Sequence, residues 1–141
     1  MIIGDKEQLY ALASELKFAS VKDNLDELID MSRKQGWGQI KFVCALISKE
    51  VDRRNENRKQ QRIKAAHFPE LKYLEELDRN ELPIQATEIL PVLETLDFIK
   101  QGRNVVLYGN PGTGKTHMAI ALGIKACMNG MTVLFTSVLN Y

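Results

Sequence analysis

Residues 104–116 read NVVLYGNPGTGKT, and this stretch decides how the chain is interpreted. The eight residues from Gly109 to Thr116 match the pattern G-x-x-x-x-G-K-[ST] in full. They follow the short apolar run 104–108, which is typical of a buried strand, and they precede an Ala-rich helical pattern over 115–128. A second apolar run at 132–136 predicts another strand. The local order is therefore strand, glycine-rich loop, helix, strand.

Each residue type in the loop suits phosphate binding. Glycines allow left-handed backbone and let N–H groups approach phosphate oxygens, while a helix N-terminus presents partial positive charge to the same anion. Lys115 is expected to reach the β- and γ-phosphates, and the Thr116 hydroxyl to coordinate Mg²⁺. We predict that ATP and Mg²⁺ are bound by the loop and the residue after it: Gly109, Asn110, Pro111, Gly112, Thr113, Gly114, Lys115, Thr116 and His117. The alternative is a chance glycine-rich turn.

Helical patterns occupy the first 66 residues. Asp5 with Gln8 resembles a capping box at the start of a first helix, and a second helix is expected from about Ser20. A third begins near Gly38, with its buried side formed by Ile40, Val43, Leu46, Ile47 and Val51. No apolar residue occurs from Asp52 to Arg62, so this part of the long helix is predicted to project into solvent.

The prediction for fold class is α/β. A helical N-terminal module that binds DNA or a partner, residues 1–66, is followed by a connector, 67–92, with little regular structure. Residues 93–141 are expected to be the first β-loop-α-β unit of a P-loop ATP-binding domain, incomplete after its second strand. By analogy with related folds, Leu96, Phe98 and Ile99 are candidates for an adenine pocket, although such an apolar stripe is more often simply core.

The near-zero net charge of +1 hides a basic cluster. Residues 51–64 carry six basic and two acidic side chains, a net charge of +4. On a helix this surface suits sequence-independent contact with DNA phosphates, although a solvated helix face with intrahelical ion pairs is the plain alternative. The candidate DNA contacts are Arg53, Arg54, Arg58, Lys59, Arg62 and Lys64.

Several other classes of protein are disfavoured. No apolar run approaches the length of a membrane span, and the N-terminus lacks the features of a secretory signal. Cys44 and Cys127 fit no metal or redox spacing, so a cytoplasmic protein with reduced thiols is expected. Residues 104–141 contain no Asp or Glu, so the acidic residue that P-loop ATPases use with Mg²⁺ is missing and no catalytic residue is assigned. We expect ATP binding without hydrolysis.

Three stretches together resemble IstB-like ATP-binding proteins, the helper ATPases of insertion-sequence transposition, which are relatives of DnaC-type helicase loaders. They are RRNENRKQQRIKAAHFPELKYLEELD (53–78), ETLDFIKQGRNVVL (94–107) and NVVLYGNPGTGKTHMAIALGIKACMNGMTVLFT (104–136). The resemblance implies an N-terminal domain that contacts DNA or a transposase, and an AAA+ domain that oligomerises on DNA. Such proteins continue through Walker B, a sensor residue and an arginine finger, so this chain looks like the N-terminal part of a larger ATPase.

Three alternatives remain. A DnaC-type replicative helicase loader has nearly the same loop, and its partner would be a helicase instead of a transposase. A small-molecule kinase is disfavoured because about 100 residues precede the loop. A non-enzymatic DNA- or partner-binding module with a vestigial loop would bind its partner equally well without Lys115.

Overall fold

A computed structural model describes residues 4–138 and contains six α-helices within that range. They are α1 (Asp5–Glu15), α2 (Ala19–Gln35), α3 (Gln39–Ala65), α4 (Ile84–Glu94), α5 (Asp97–Lys100) and α6 (Lys115–Met128), with a short 3₁₀ turn at Leu74–Glu76. The chain divides into two compact units after Arg58, which lies within α3.

The first unit consists of α1, α2 and the larger part of α3. Its apolar core contains Ala13, Val21, Leu25 and Leu28. The helix starts differ in detail from the prediction: α1 begins at Asp5 with Gly4 as its N-cap and without a side-chain cap, so the predicted capping box does not form. The third helix begins as predicted, because the N–H of Phe42 donates to the Gly38 carbonyl.

The second unit is built around α6, seven of whose residues are buried. One side of α6 packs against the 3₁₀ turn and α4 through Leu74, Leu77, Leu90, Leu93, Met118, Ala121 and Leu122. The opposite side packs against the end of α3 through Ile63, Ala66, Ile120, Ile124 and Cys127. The predicted α6 bounds are confirmed. Residues 52–62 of α3 are exposed or half-buried, as predicted, and the buried Ile63 and Ala66 follow them.

The predicted α/β fold class is wrong for the part of the chain that the structure describes. Residues 4–138 contain no strand and no sheet, so the predicted β-loop-α-β unit does not form. The runs 104–108 and 132–136 are extended, but a strand requires a ladder of hydrogen bonds to a neighbour. Among the described residues, one backbone hydrogen bond joins these runs to another segment: the Phe135 N–H donates to the Ala66 carbonyl at 2.8 Å.

The apolar side chains of these extended runs explain why their sequence resembles that of buried strands. Leu107, Val133 and Phe135 pack towards the core, whereas Val106, Tyr108 and Leu134 are exposed. A run that is apolar on both sides is predicted to be buried on both sides. In this structure each run covers α6 with one side only.

The predicted connector contains a regular helix that the sequence pattern does not indicate. α4 spans Ile84–Glu94 and includes Pro91 within the helix, a residue type that usually ends or bends one. Its Leu90 and Leu93 are buried against α6, so tertiary packing supports a helix that the local signal disfavours.

Candidate functional site

The glycine-rich loop, Gly109–Thr116, joins an extended run to the first turn of α6. Gly112 and Gly114 have φ values of +81° and +83°, a left-handed conformation that favours glycine. Gly114 is also the N-cap of α6, and a Cβ added there would lie 3.3 Å from Leu82 Cδ2. Both the backbone conformation and the close contact therefore explain why glycine occupies position 114.

The Lys115 side chain folds back over the loop. Its Nζ donates to the carbonyl oxygens of Gly109 at 2.6 Å and Asn110 at 2.7 Å, and it lies 3.4 Å from Thr113 Oγ1. Thr113 Oγ1 in turn donates to the Asn110 carbonyl at 2.8 Å. These contacts hold a single positive charge at the centre of the loop.

The loop retains hydrogen-bond donors. Within the described residues, the backbone N–H groups of Gly112 and Gly114 donate to no backbone carbonyl. The first N–H groups of α6 also lack intrahelical acceptors, as at every helix start. Together with the Lys115 ammonium they form a concentration of donors and positive charge that suits a bound anion.

A cavity of about 520 Å³ adjoins the loop. Gly109, Asn110, Thr113 and Lys115 contribute the loop side of its lining, and the remaining lining is largely apolar. This remaining lining is contributed by α4, its preceding turn, the extended run and α6: Pro83, Gln85, Ala86, Ile89, Val106, Leu107, Tyr108 and Met118. The volume lies within the usual range for small-ligand sites, which combine apolar walls with few polar groups.

The residues suggested for an adenine pocket do not line this cavity. Leu96 is buried, and Phe98 packs against the core and lines a separate cavity of about 300 Å³ with Ile99. The apolar wall beside the loop comes instead from Pro83, Ala86 and Ile89, in the segment that was predicted to be irregular. The sequence does not predict these wall residues, because Pro91 weakens the helical pattern of α4.

The two residues after Lys115 have different surroundings. Thr116 is exposed in the first turn of α6. His117 Nε2 lies 3.0 Å from the Tyr73 carbonyl oxygen, so its partly buried ring contacts the segment before the 3₁₀ turn. Pro111 is exposed within the loop.

The six basic residues all lie on α3, but several of them make intramolecular contacts. Arg53 and Arg54 pair with the buried Glu50 at 2.6 and 3.3 Å, and Arg54 also lies over the Phe18 ring at 5.1 Å from its centroid. Arg62 Nε donates to the Cys127 carbonyl at 2.7 Å, in the last turn of α6. Arg58 and Lys64 are exposed, and Lys59 is half-buried.

The described residues offer no group of three or more His, Cys, Asp or Glu side chains placed to hold a metal ion. No helix among those residues has the length and apolar character required to cross a membrane. Both thiols are free, with Cys44 exposed and Cys127 buried. Burial raises the pKa of the Cys127 thiol, although the nearby Arg62 charge acts in the opposite direction.

The geometry therefore places the Lys115 ammonium and a glycine-rich loop beside a cavity that is largely apolar. Comparison with known protein families gives a match to the IstB-like ATP-binding protein over residues 11–141. The chain belongs to this family, which confirms the resemblance found in the sequence.

Individual relatives of the chain carry names that agree with this family assignment. One relative, from Pseudomonas aeruginosa, is named as an ATP-binding protein of insertion sequence IS21. It is 34% identical to this chain over 128 residues, which cover 91% of this chain and 48% of the relative. A protein of Bacillus thuringiensis subsp. berliner, similarly named for insertion sequence IS232, is 29% identical over 92% of this chain and 52% of its own length. The chain thus spans about half the length of these relatives.

Proposed function

We propose that this chain binds ATP through the glycine-rich loop. The observation that carries the proposal is the Lys115 ammonium at the loop centre, together with the N–H groups of Gly112 and Gly114, which donate to no backbone carbonyl. Phosphate oxygens would replace the Gly109 and Asn110 carbonyls as acceptors for Lys115. Family membership and the names of the relatives support ATP as the ligand.

The base is proposed to lie in the adjoining cavity. Pro83, Ala86 and Ile89 offer an apolar wall for a flat aromatic ring, and Gln85 offers an amide that can both donate and accept hydrogen bonds. This division between a polar phosphate end and an apolar base end is common in nucleotide sites.

Mg²⁺ is proposed to enter with the nucleotide. Thr116 can contribute a single hydroxyl ligand, and no metal cluster exists among the described residues to supply the remaining ones. Mg²⁺ commonly takes most of its ligands from phosphate oxygens and water, so one hydroxyl beside the loop suits this mode of binding. The ion supplies charge neutralisation for the phosphates when bound.

The test is titration of a fluorescent ATP analogue with Mg²⁺ into the 141-residue chain. Lys115→Ala should weaken binding at least about tenfold, because one charge-assisted contact is worth roughly 1.5–3 kcal/mol. The matched control is Lys125→Ala, which removes a lysine from the last turn of the same helix. Equal binding by wild type and Lys115→Ala would contradict the proposal and favour a vestigial loop.

For the cellular role, we propose that the protein is a cytoplasmic helper for DNA transposition and recombination that acts with a transposase. Family membership and relatives named for insertion sequences support this role. Pull-down with a candidate transposase and with a replicative helicase separates it from the helicase-loader alternative. Recovery of the helicase alone would favour the loader.

We further propose that α3 contacts DNA phosphates, chiefly through Arg58, Lys59 and Lys64. Arg53 and Arg54 bind the buried Glu50 and Arg62 binds a main-chain carbonyl, so they have less freedom to reach a second anion. Arg58 donates to the exposed Asn55 Oδ1 at 3.4 Å, a contact that a phosphate oxygen can replace. The contact would be sequence-independent, since phosphates carry no base information.

A further inference from the structure

A stripe of exposed apolar side chains runs along the first half of α3. Ile40 is 79% exposed, and Val43, Ile47 and Val51 are 48–50% exposed. Cys44, also exposed, lies among them. The prediction that Ile40, Val43, Ile47 and Val51 form the buried side of this helix is therefore wrong, since all four are exposed. We call these five residues the α3 stripe.

The stripe is separate from the face by which α3 joins its own unit. Phe42, Leu46 and Glu50 face the interior and are buried or half-buried, and Glu50 is reached by Ser20 of α2 at 3.4 Å. At 100° per residue, the stripe is centred about a third of a turn away from that face. Spacings of three and four residues are those of a helix–helix seam, so the stripe has the pattern of a contact surface.

The charges beside the stripe indicate what covers it. Lys41 and Asp52 are both exposed and lie on the same flank, since eleven residues are close to three full turns. The positive charge is near the start of the stripe and the negative charge near its end. When two helices pack antiparallel, each flank meets the same flank of the other helix. A second copy of α3 would therefore bring Asp52 of one copy towards Lys41 of the other.

We propose that two copies of this chain associate through their α3 stripes, packed antiparallel about a two-fold axis. The natural register pairs Ile40 with Val51 and Cys44 with Ile47 of the partner copy, on each side of the axis. In that register, Lys41 and the opposing Asp52 are offset by two residues, about 3 Å along the helix, which a lysine side chain spans easily. In the single chain, Lys41 Nζ lies 5.3 Å from the Trp37 ring centroid. In the dimer the ammonium can keep this contact or exchange it for the Asp52 carboxylate of the other copy.

The size of the surface predicts weak, reversible association. The stripe runs from residue 40 to residue 51, about 18 Å of helix, and offers five side chains per copy. Such a contact falls at the small end of specific interfaces, where complexes form and separate readily. The proposal does not depend on nucleotide binding, because every residue in it belongs to the first unit.

Sedimentation equilibrium of the full chain across a concentration series tests the association. The weight-average mass should rise towards that of a dimer, and Ile47→Glu should raise the dissociation constant at least about tenfold by placing charge in the seam. The control is Val92→Glu, which introduces the same charge at a 61% exposed apolar residue of α4 and should leave the mass curve unchanged. A wild-type chain that stays monomeric throughout overturns the proposal.

Charge reversal tests the antiparallel arrangement. Lys41→Glu and Asp52→Lys should each weaken the dimer, since each places like charges opposite one another. The double variant should restore association, because the pair is re-formed with exchanged signs. Failure of the double variant to recover, with both single variants weakened, overturns the antiparallel pairing.

Cys44 provides a measurement on the unaltered chain, which covers the case where a substituted chain fails to fold. A thiol reagent at rising protein concentration should react progressively more slowly with Cys44 as the stripe becomes covered. Cys127 is buried and contributes little to the fast reaction. A Cys44 rate that is independent of protein concentration overturns the proposal.

Discussion

Glu50 is a buried carboxylate whose charge is matched within the first unit. Arg53 and Arg54 pair with Oε2 while Ser20 donates to Oε1. Burial by itself raises the pKa of Glu50, but the hydrogen bond and charge of Arg53, the Ser20 bond and the charge of Arg54 outweigh it. The net pKa therefore lies below the ordinary value of 4.5.

This shift makes a pH-dependent contribution to stability. A carboxylate whose folded-state pKa is lowered stabilises the fold above its ordinary pKa, and that contribution is lost as the pH falls through the folded-state value. We predict that Glu50→Gln lowers the melting temperature at pH 7, and that the gap to wild type narrows from about pH 4.5 downwards. Glu27→Gln, at an exposed position of α2, is the control. A gap that is equally wide near pH 3 would show that the charge is not the stabilising feature.

Gly123 is a second residue whose role is local. A Cβ at this position of α6 would lie 2.8 and 2.9 Å from Cε1 and Cζ of the Phe68 ring. Since Phe68 packs on Phe135, with ring centroids 6.1 Å apart, it has limited room to move away. Only a glycine permits this close approach of ring and helix.

We predict that Gly123→Ala destabilises the chain by about 1–3 kcal/mol in urea denaturation, the usual cost of overpacking. Gly38→Ala is the matched control, because a Cβ there meets no atom within 4 Å. The double variant Gly123→Ala, Phe68→Leu should recover part of the loss by removing the clashing ring. Equal stability of Gly123→Ala and wild type would mean that the ring moves aside freely.

At the scale of elements, α3 combines structural and exposed basic residues. Arg62 binds the Cys127 carbonyl in the last turn of α6, where a cation also interacts favourably with the helix dipole. Arg53 and Arg54 neutralise Glu50. The basic cluster in the sequence therefore divides into residues that hold the fold and residues that remain available to a partner.

Duplex DNA binding should reveal this division. We predict that Arg58→Ala, Lys59→Ala and Lys64→Ala together weaken binding and reduce the slope of log K against log salt by roughly 2–3, with little change in melting temperature. The triple variant Arg53→Ala, Arg54→Ala, Arg62→Ala should instead lower the melting temperature. If the variant lacking Arg58, Lys59 and Lys64 binds duplex DNA with unchanged affinity, these residues form a solvated helix face and not a DNA contact.

At the scale of the whole molecule, the proposed nucleotide site lies entirely within the second unit. The loop, the turn before α4 and the start of α6 all belong to it. A ligand that binds the folded state stabilises it according to its concentration relative to Kd, by about 2.7 kcal/mol at one hundred times Kd.

We predict that ATP with Mg²⁺ slows hydrogen exchange in residues 83–118 and leaves α1 and α2 unaffected. The physical reason is that opening of the loop and its cavity wall would first require release of the ligand. Hydrogen exchange with mass spectrometry measures this, and Lys115→Ala should abolish the effect. Protection confined to α1 and α2 would place the nucleotide elsewhere.

Local chemistry carries much of what the sequence predicts correctly. The glycine positions, the start of α6 at Lys115 and its end at Met128, and the start of the third helix near Gly38 all follow from residues close in the chain. The family resemblance is also readable from the sequence, because it depends on motifs and their order. These features depend on a few residues that are close together in the sequence, so the sequence predicts them without knowledge of the tertiary structure.

Tertiary packing decided the features that the sequence did not. The runs 104–108 and 132–136 have strand-like composition, but among the described residues no neighbouring ladder forms, so they remain extended and half-exposed. The apolar pattern of α3 likewise cannot tell which of two adjacent stripes is covered, and α4 forms despite Pro91 because Leu90 and Leu93 pack on α6. Composition tells what a segment can bury; the surfaces that meet it in three dimensions decide what it does bury.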